Sequence, residues 1–249
     1  MVNFEKVDLI IQARMGSTRL PGKSLFDLAG ESLVGRIIER VKRCKRLNDI
    51  ILAIPNNDDN LPLREIALRY NIKLFLGSEN DLVSRYYKAA KFFETKFICR
   101  LPADNPTPEP SEFDRLIDFH LENNVNGFST NICNVNNSGY PDGIGVEIFR
   151  IDLLERIYKD IIDPEKREHV HLNFFNYKTG MATDNKLCPV KTIKCPKSFR
   201  RPELVLDVNT EEQYIFMKKL YEYLYPRNKR FSILDIINWY DNVYLREIS

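Results

Sequence analysis

Between Val7 and Leu121 the chain alternates short apolar runs with amphipathic helical stretches, and this alternation narrows the possible folds more than any other feature. The runs Val7–Ala13, Asp49–Ile54, Ile72–Leu76 and Lys96–Leu101 are too short for stable helices, and Pro55, Gly77 and Pro102 close the last three. Between them Ser32–Lys45, Leu61–Tyr70 and Asp81–Phe93 read as helices, followed by Glu109–Leu121. In the first of these, Leu33, Ile37, Ile38 and Val41 recur at helical spacing. Strands separated by helices form βαβ units. The prediction is therefore an α/β fold with a mostly parallel central sheet covered on both faces.

The second half is less regular. Gly127–Thr130, Val146–Phe149, Val190–Lys194 and Glu203–Val208 read as strands, and Ile151–Tyr158 and Pro164–Phe175 as helices. Asn131–Asp142 is a polar loop, and 178–202 is irregular around its prolines. Thr210 and Gln213 have capping-box spacing at the start of a helix. The aromatics of the helical region Ile215–Tyr244 fall at packing positions beside Ile and Leu. With no repeat or linker, residues 1–249 read as a single domain.

Immediately after the first strand the chain changes character. Arg14 to Ser24 holds the cations Arg14, Arg19 and Lys23, the hydroxyls Ser17, Thr18 and Ser24, and the glycines Gly16 and Gly22. Cations neutralise phosphate oxygens, hydroxyls bond them, and glycine lets the backbone come close. This composition fits a nucleoside triphosphate better than an ordinary basic loop does. A Walker A loop is excluded, because its spacing is one residue shorter, Ser17 stands where it needs Gly, and Pro21 stiffens the segment.

Ligands of open α/β sheets bind at the C-terminal ends of strands. Two carboxylates fall at such ends. Asp104, between Pro102 and Pro106, suits Mg2+, a hard cation that shares oxygen ligands with substrate phosphates. Asp207 and Asn209 share one face if the strand Glu203–Val208 continues, and could reach the same ion. His169 and His171 are two apart and would diverge in a helix, so packing or surface roles suit them; Arg167 and His169 remain candidates for an acidic substrate.

The hydrophobic fraction of 43% and net charge of +2 exclude disorder and suggest neither a nucleic-acid nor a membrane partner. The basic cluster Lys42–Arg46 reads as a solvated helix end. No apolar run approaches the ~18 residues of a membrane span. The first residues lack the apolar core of a signal peptide, so a cytoplasmic protein is expected. Cys44, Cys99, Cys133, Cys188 and Cys195 form no CxxC pair and read as reduced thiols.

Taken in order, IIQARMGSTRLPGKSL, FLGSENDLVSRYYKAA, RLPADNP, YPDGIGVEIF, REHV and VLDVNTEEQY resemble the cytidylyltransferases that activate acidic sugars, namely 3-deoxy-manno-octulosonate (Kdo) and acylneuraminate. The resemblance is closer still to the spore-coat polysaccharide biosynthesis protein F type. It implies a three-layer α/β/α nucleotide-diphospho-sugar transferase fold. It also implies Mg2+-dependent transfer of CMP from CTP to a sugar acid or phosphorylated acceptor, in surface polysaccharide or glycoconjugate synthesis. Arg14, Lys23 and Asp104 would be catalytic. The nucleotide would meet Gln12, Ala13, Arg14, Gly16, Ser17, Arg19 and Lys23, with Gly77, Ser78, Asp81 and Asp104. Tyr140, Asp142, Glu147, Arg167 and His169 would meet the acceptor, and Asp104, Asp207 and Asn209 the metal. Relatives lead one to expect a homodimer, with 131–202 as the dimerisation and acceptor-binding region. Two positions depart from the pattern: Asn209 and Gly145 stand where relatives often carry Asp. A glycosyltransferase on the same fold and a non-catalytic nucleotide-binding protein are the rival readings.

Overall fold

The computed structural model describes residues 5–17, 19–177, 179–183 and 188–247. Thr18, one hydroxyl of the basic loop, lies outside them, as do Lys178 and residues 184–187 of the irregular segment. A central sheet is built from β1 (Val7–Gln12), β2 (Asp49–Pro55), β3 (Lys73–Gly77), β4 (Phe97–Pro102), β5 (Phe128–Thr130), β6 (Glu147–Arg150) and β9 (Val190–Lys191). A separate ribbon pairs β7 (Phe175–Asn176) with β8 (Met181–Ala182). Among the described residues the order in the central sheet is β3-β2-β1-β4-β6-β5-β9.

β1 is parallel to β2 and β4, and β2 is parallel to β3. β6 runs antiparallel to both β4 and β5, so the sheet is mixed at that side. The helices are α1 (Leu33–Val41), α2 (Leu61–Arg69), α3 (Leu82–Phe92), α4 (Pro110–Glu122), α5 (Ile151–Asp160), α6 (Pro164–Glu168), α7 (Glu211–Leu224), α8 (Ile233–Trp239) and the short α9 (Leu245–Glu247). The period-two alternation of β1 divides them into layers. Leu9 and Ile11 point into a core formed with α1, α2, α4, α7 and α8. Ile10 points into the opposite core, with α3, α5, Phe174 and Phe175. All three β1 side chains are fully buried, each worth about 1.5–3 kcal/mol of transfer free energy. The fold is thus the expected three-layer α/β/α arrangement.

Four segments differ from the sequence-based expectation. Among the described residues Glu203–Val208 makes only a single bridge, Asp142 to Val205, formed by Asp142 N donating to Leu204 O and Leu206 N to Asp142 O; the next amide, Val208 N, is taken by Asp104 O in a loop. Pro164–Phe175 breaks at His169, whose φ of −116° and ψ of 82° leave the helical region; a tight turn then carries Val170 and Phe174 into the second core. Val190–Lys194 shortens to the two residues of β9. The C-terminal helical region is interrupted just before Pro226, which has no N–H to continue α7, and Ser232 with Asp235 caps the next helix.

Candidate active site

The sheet reverses its winding at β1: β2 and β3 lie to one side and β4 to the other. In open α/β sheets this switch point opens a crevice at the C-terminal strand ends. The chain leaves β1 into the basic loop and leaves β4 toward Asp104, so both segments border that crevice.

The basic loop folds back on Met15. Ser17 N and Gly22 N both donate to the Met15 carbonyl, at 2.9 and 3.0 Å, while Met15 N donates to Asn60 Oδ1. This brings Lys23 across the crevice. Its ammonium donates to Val208 O at 2.7 Å and Asn209 Oδ1 at 3.1 Å, and lies 3.4 Å from Asp104 Oδ2. The Lys23 side chain is 13% exposed and that of Asp104 23%, so the pair is poorly screened by solvent. Arg19 Nη2 donates to the same Asn209 Oδ1 at 2.8 Å. Asn209 Nδ2 donates to Asp207, which also accepts from Gln213 Nε2 at 3.0 Å. The capping box of α7 therefore fixes Asp207 through Gln213 as well as starting the helix. Asp207 and Asn209 do meet, through this network rather than along a strand.

Asp142 comes to the same place. Its backbone brackets residues 204–206, with Asp142 N donating to Leu204 O and Leu206 N to Asp142 O. Gly143 permits the approach: φ is +93°, and a Cβ there would stand 3.0 Å from the Leu206 carbonyl carbon. Burial, and then the charges of Asp207 and Asp104, push the Asp142 carboxyl up to about 7. Asp207 is raised as well, first by burial and then by Asp104. The negative charge of Asp104, 3.4 Å from the Lys23 ammonium, thus acts on both Asp142 and Asp207. The donors are oxygens, as Mg2+ prefers, and Mg2+ completes its shell with water and phosphate rather than a full protein cage. Among the described residues no group of three or more His, Cys, Asp or Glu is closed around a metal position.

On the other side of β1 lies a residue that the sequence reading passed over. Arg85, on α3, is 3% exposed. Its guanidinium donates to Ser78 O at 2.8 Å and Glu79 O at 3.1 Å, with longer contacts of 3.4 Å to Ala13 O and Ala53 O. It ties the ends of β1 and β2 to the loop after β3, and burial lowers it to about 10. Gly77 packs on its stem, where a Cβ would lie 2.8 Å from Arg85 Cγ. Gly16 adjoins Glu79 in the same corner, and Gln12 Oε1, at the end of β1, is buried with no hydrogen-bond partner among the described residues. Ser78 Oγ accepts from Asp81 N, and Asp81 caps α3 by accepting from Ser84 N at 2.8 Å. The Asp81 carboxylate also receives Arg167 Nε at 2.9 Å and Nη2 at 2.6 Å. Next to it, Arg14 Nη2 donates to Glu168 at 3.1 Å. Arg167 and Glu168, adjacent on α6, thus join 131–202 to the loops after β3 and β1.

The remaining acceptor candidates are dispersed. Tyr140 is fully buried, with its hydroxyl on Glu112 and 3.3 Å from Arg115 Nη1. Glu147 is fully buried and receives Arg100 Nη1 at 2.6 Å and the Tyr177 hydroxyl at 2.8 Å. His169 lies 6.0 Å, ring to ring, from His171, which burial pushes down to about 3 so that it stays neutral. Gly145 cannot carry a side chain in this backbone, since a Cβ would lie 2.1 Å from Asn131 O. The described residues contain no helix long and apolar enough to cross a membrane.

The cytidylyltransferase family model matches residues 9–223. The chain is 30% identical over 218 residues to spore coat polysaccharide biosynthesis protein SpsF of Bacillus subtilis, covering 86% of this chain and 85% of that protein. A cytidylyltransferase structure from Leptospira borgpetersenii superposes with a TM-score of 0.82 at 30% identity, covering 94% and 93% of the two chains. A CMP:2-keto-3-deoxy-manno-octonic acid synthetase complexed with CTP superposes with a TM-score of 0.62 over 87% of this chain and 98% of that one; at 15% identity it shares the fold.

Proposed function

The chain belongs to the cytidylyltransferase family and is a nucleotidyltransferase, and from that premise we propose that it transfers CMP from CTP to a small sugar acid or a related phosphorylated acceptor, with Mg2+ and release of pyrophosphate. The observation that carries this reading is Lys23, which crosses the crevice to Asp104, Val208 O and Asn209 with Arg19 beside it. Arg14, Arg19 and Lys23 supply positive charge along one loop, enough for a triphosphate and more than the diphosphate of a glycosyltransferase donor requires.

In this mechanism an acceptor oxygen attacks the α-phosphorus of CTP in line, and the bond to pyrophosphate breaks. Lys23 and Arg19 leave Asn209 for phosphate oxygens and neutralise the departing charge. Arg14 exchanges Glu168 for phosphate. Asp104 and Asp207, with Asp142 beside them, are the residues that would hold Mg2+, which would supply charge stabilisation at the reacting phosphates. Arg85 fixes the loops at Ala13 and Ser78–Glu79, where backbone groups would read the base. Catalysis is then mostly positioning and charge neutralisation.

Carried over from the resemblance are a cytoplasmic setting, surface polysaccharide or glycoconjugate synthesis, and a homodimer through 131–202, which light scattering in solution tests. The function itself is tested by measuring pyrophosphate from each NTP with Mg2+ and a panel of sugar acids and phosphorylated small molecules. The expected result is release with CTP and one acceptor class. Tight CTP binding without release for any acceptor would overturn transfer and leave a nucleotide-binding protein.

A further inference from the structure

Asn209 touches both charge systems of the crevice. Its Oδ1 accepts from Lys23 Nζ at 3.1 Å and Arg19 Nη2 at 2.8 Å, while its Nδ2 donates to Asp207. Chemistry fixes that orientation: Lys and Arg can only donate, and a carboxylate can only accept. A flipped amide would lose all three contacts. Its backbone N donates to Gln213 Oε1 at 2.7 Å, and Gln213 Nε2 reaches Asp207, so a second neutral amide closes the ring.

We propose that Asn209 is a positioning residue rather than a metal ligand: its neutral oxygen parks Arg19 and Lys23 loosely enough for a triphosphate to take them, while its N–H2 steadies Asp207. The inference rests on the triphosphate reading of the site. A carboxylate at 209 would pair ionically with both cations and compete with phosphate for them. It would also lose the N–H donor and repel Asp207, adding negative charge where a divalent cation binds. Asn therefore trades metal affinity for cations that a nucleotide can recruit. A metal-ligand role predicts something different, because metal-free nucleotide binding would then be indifferent to residue 209.

The test is calorimetric, on the full chain, with two titrations for each variant: CTP in excess EDTA, and Mg2+ without nucleotide. In Asn209→Asp, CTP affinity without metal falls about two- to fivefold, the range of one added, partly solvated ion pair, while Mg2+ affinity rises. Asn209→Ala frees the cations without adding charge, so metal-free CTP affinity does not fall. Opposite movement of the two affinities in Asn209→Asp is a result that simple loss of structure cannot produce. The inference is overturned if Asn209→Asp leaves metal-free CTP binding unchanged, or if Asn209→Ala weakens it as much as Asn209→Asp does. Wild-type protein that binds no CTP under any condition would instead overturn the function reading on which the inference stands.

Discussion

Asp142 gives the proposed cation site a thermodynamic signature that can be read without any substrate. Its carboxyl is pushed from an ordinary 3.8 up to about 7, by burial first and then by Asp207 and Asp104. Between those values the native protein keeps a proton that the unfolded chain has released. Stability is therefore lost as pH rises, at about 1.4 kcal/mol per unit, and the loss is complete above pH 7. The ceiling is about 4 kcal/mol, and partial solvation of the side chain lowers the realised figure to roughly 1–3 kcal/mol. Asp142→Asn removes the titration and keeps the shape. The gap in stability between variant and wild type should be near zero at pH 4 and open to that value at pH 8, in favour of the variant. Urea unfolding at both pH values measures it directly, and a thermal midpoint shifts by about 2–4 °C per kcal/mol in a chain of this size. Shifts of carboxylates outside this cluster largely cancel in the difference. Millimolar Mg2+ should stabilise the wild type more than the variant and narrow the gap at pH 8. A gap that does not change with pH refutes the argument, because Asp142 would then titrate as it does in water.

Three further outcomes follow from the geometry. Asp104→Asn keeps its contact with Lys23 but weakens the hold on the cation, so Mg2+-dependent pyrophosphate release should fall about 100-fold; full activity would remove Asp104 from the mechanism. Gly145→Ala places a methyl where Asn131 O stands, 2.1 Å from the ideal Cβ, and should cost roughly 2–4 kcal/mol in urea unfolding. Arg100→Met leaves Glu147 buried with the Tyr177 hydroxyl as its one side-chain partner among the described residues and should destabilise the fold by about 3–5 kcal/mol, measured the same way.

The strands and helices of the first half were legible because burial on two faces leaves a periodic imprint: Leu9, Ile10 and Ile11 announce a strand with a core on each side. The meeting of Lys23 with Asp104 and residues 207–209 could be anticipated by residue type and strand end. The direction of β6 could not, because a four-residue strand, Glu147–Arg150, carries no sign of which way it runs. Asp142 was read with the acceptor; its proximity to Asp207 depends on the single bridge between Asp142 and Val205 and on the room left by Gly143. Arg85 sits inside a quoted motif, yet its partners are backbone carbonyls, to which no particular residue type points. The pairing of Arg167 with Asp81 spans 86 positions, and neither end has a local feature that names the other.

Lys23 and the carbonyl that holds it, Val208 O, are 185 positions apart. A ribosome adding about 5–20 residues per second needs roughly 10 to 40 s to travel that distance. Throughout that interval the basic loop has emerged without Val208, Asn209 or Asp207 to receive it. Chain broken off inside 131–202 would keep β1, Arg14, Lys23 and Asp104 yet lack the segment that joins them. Closure of the crevice thus waits on a segment made long after the basic loop, and it marks a chain that has been made through to α7.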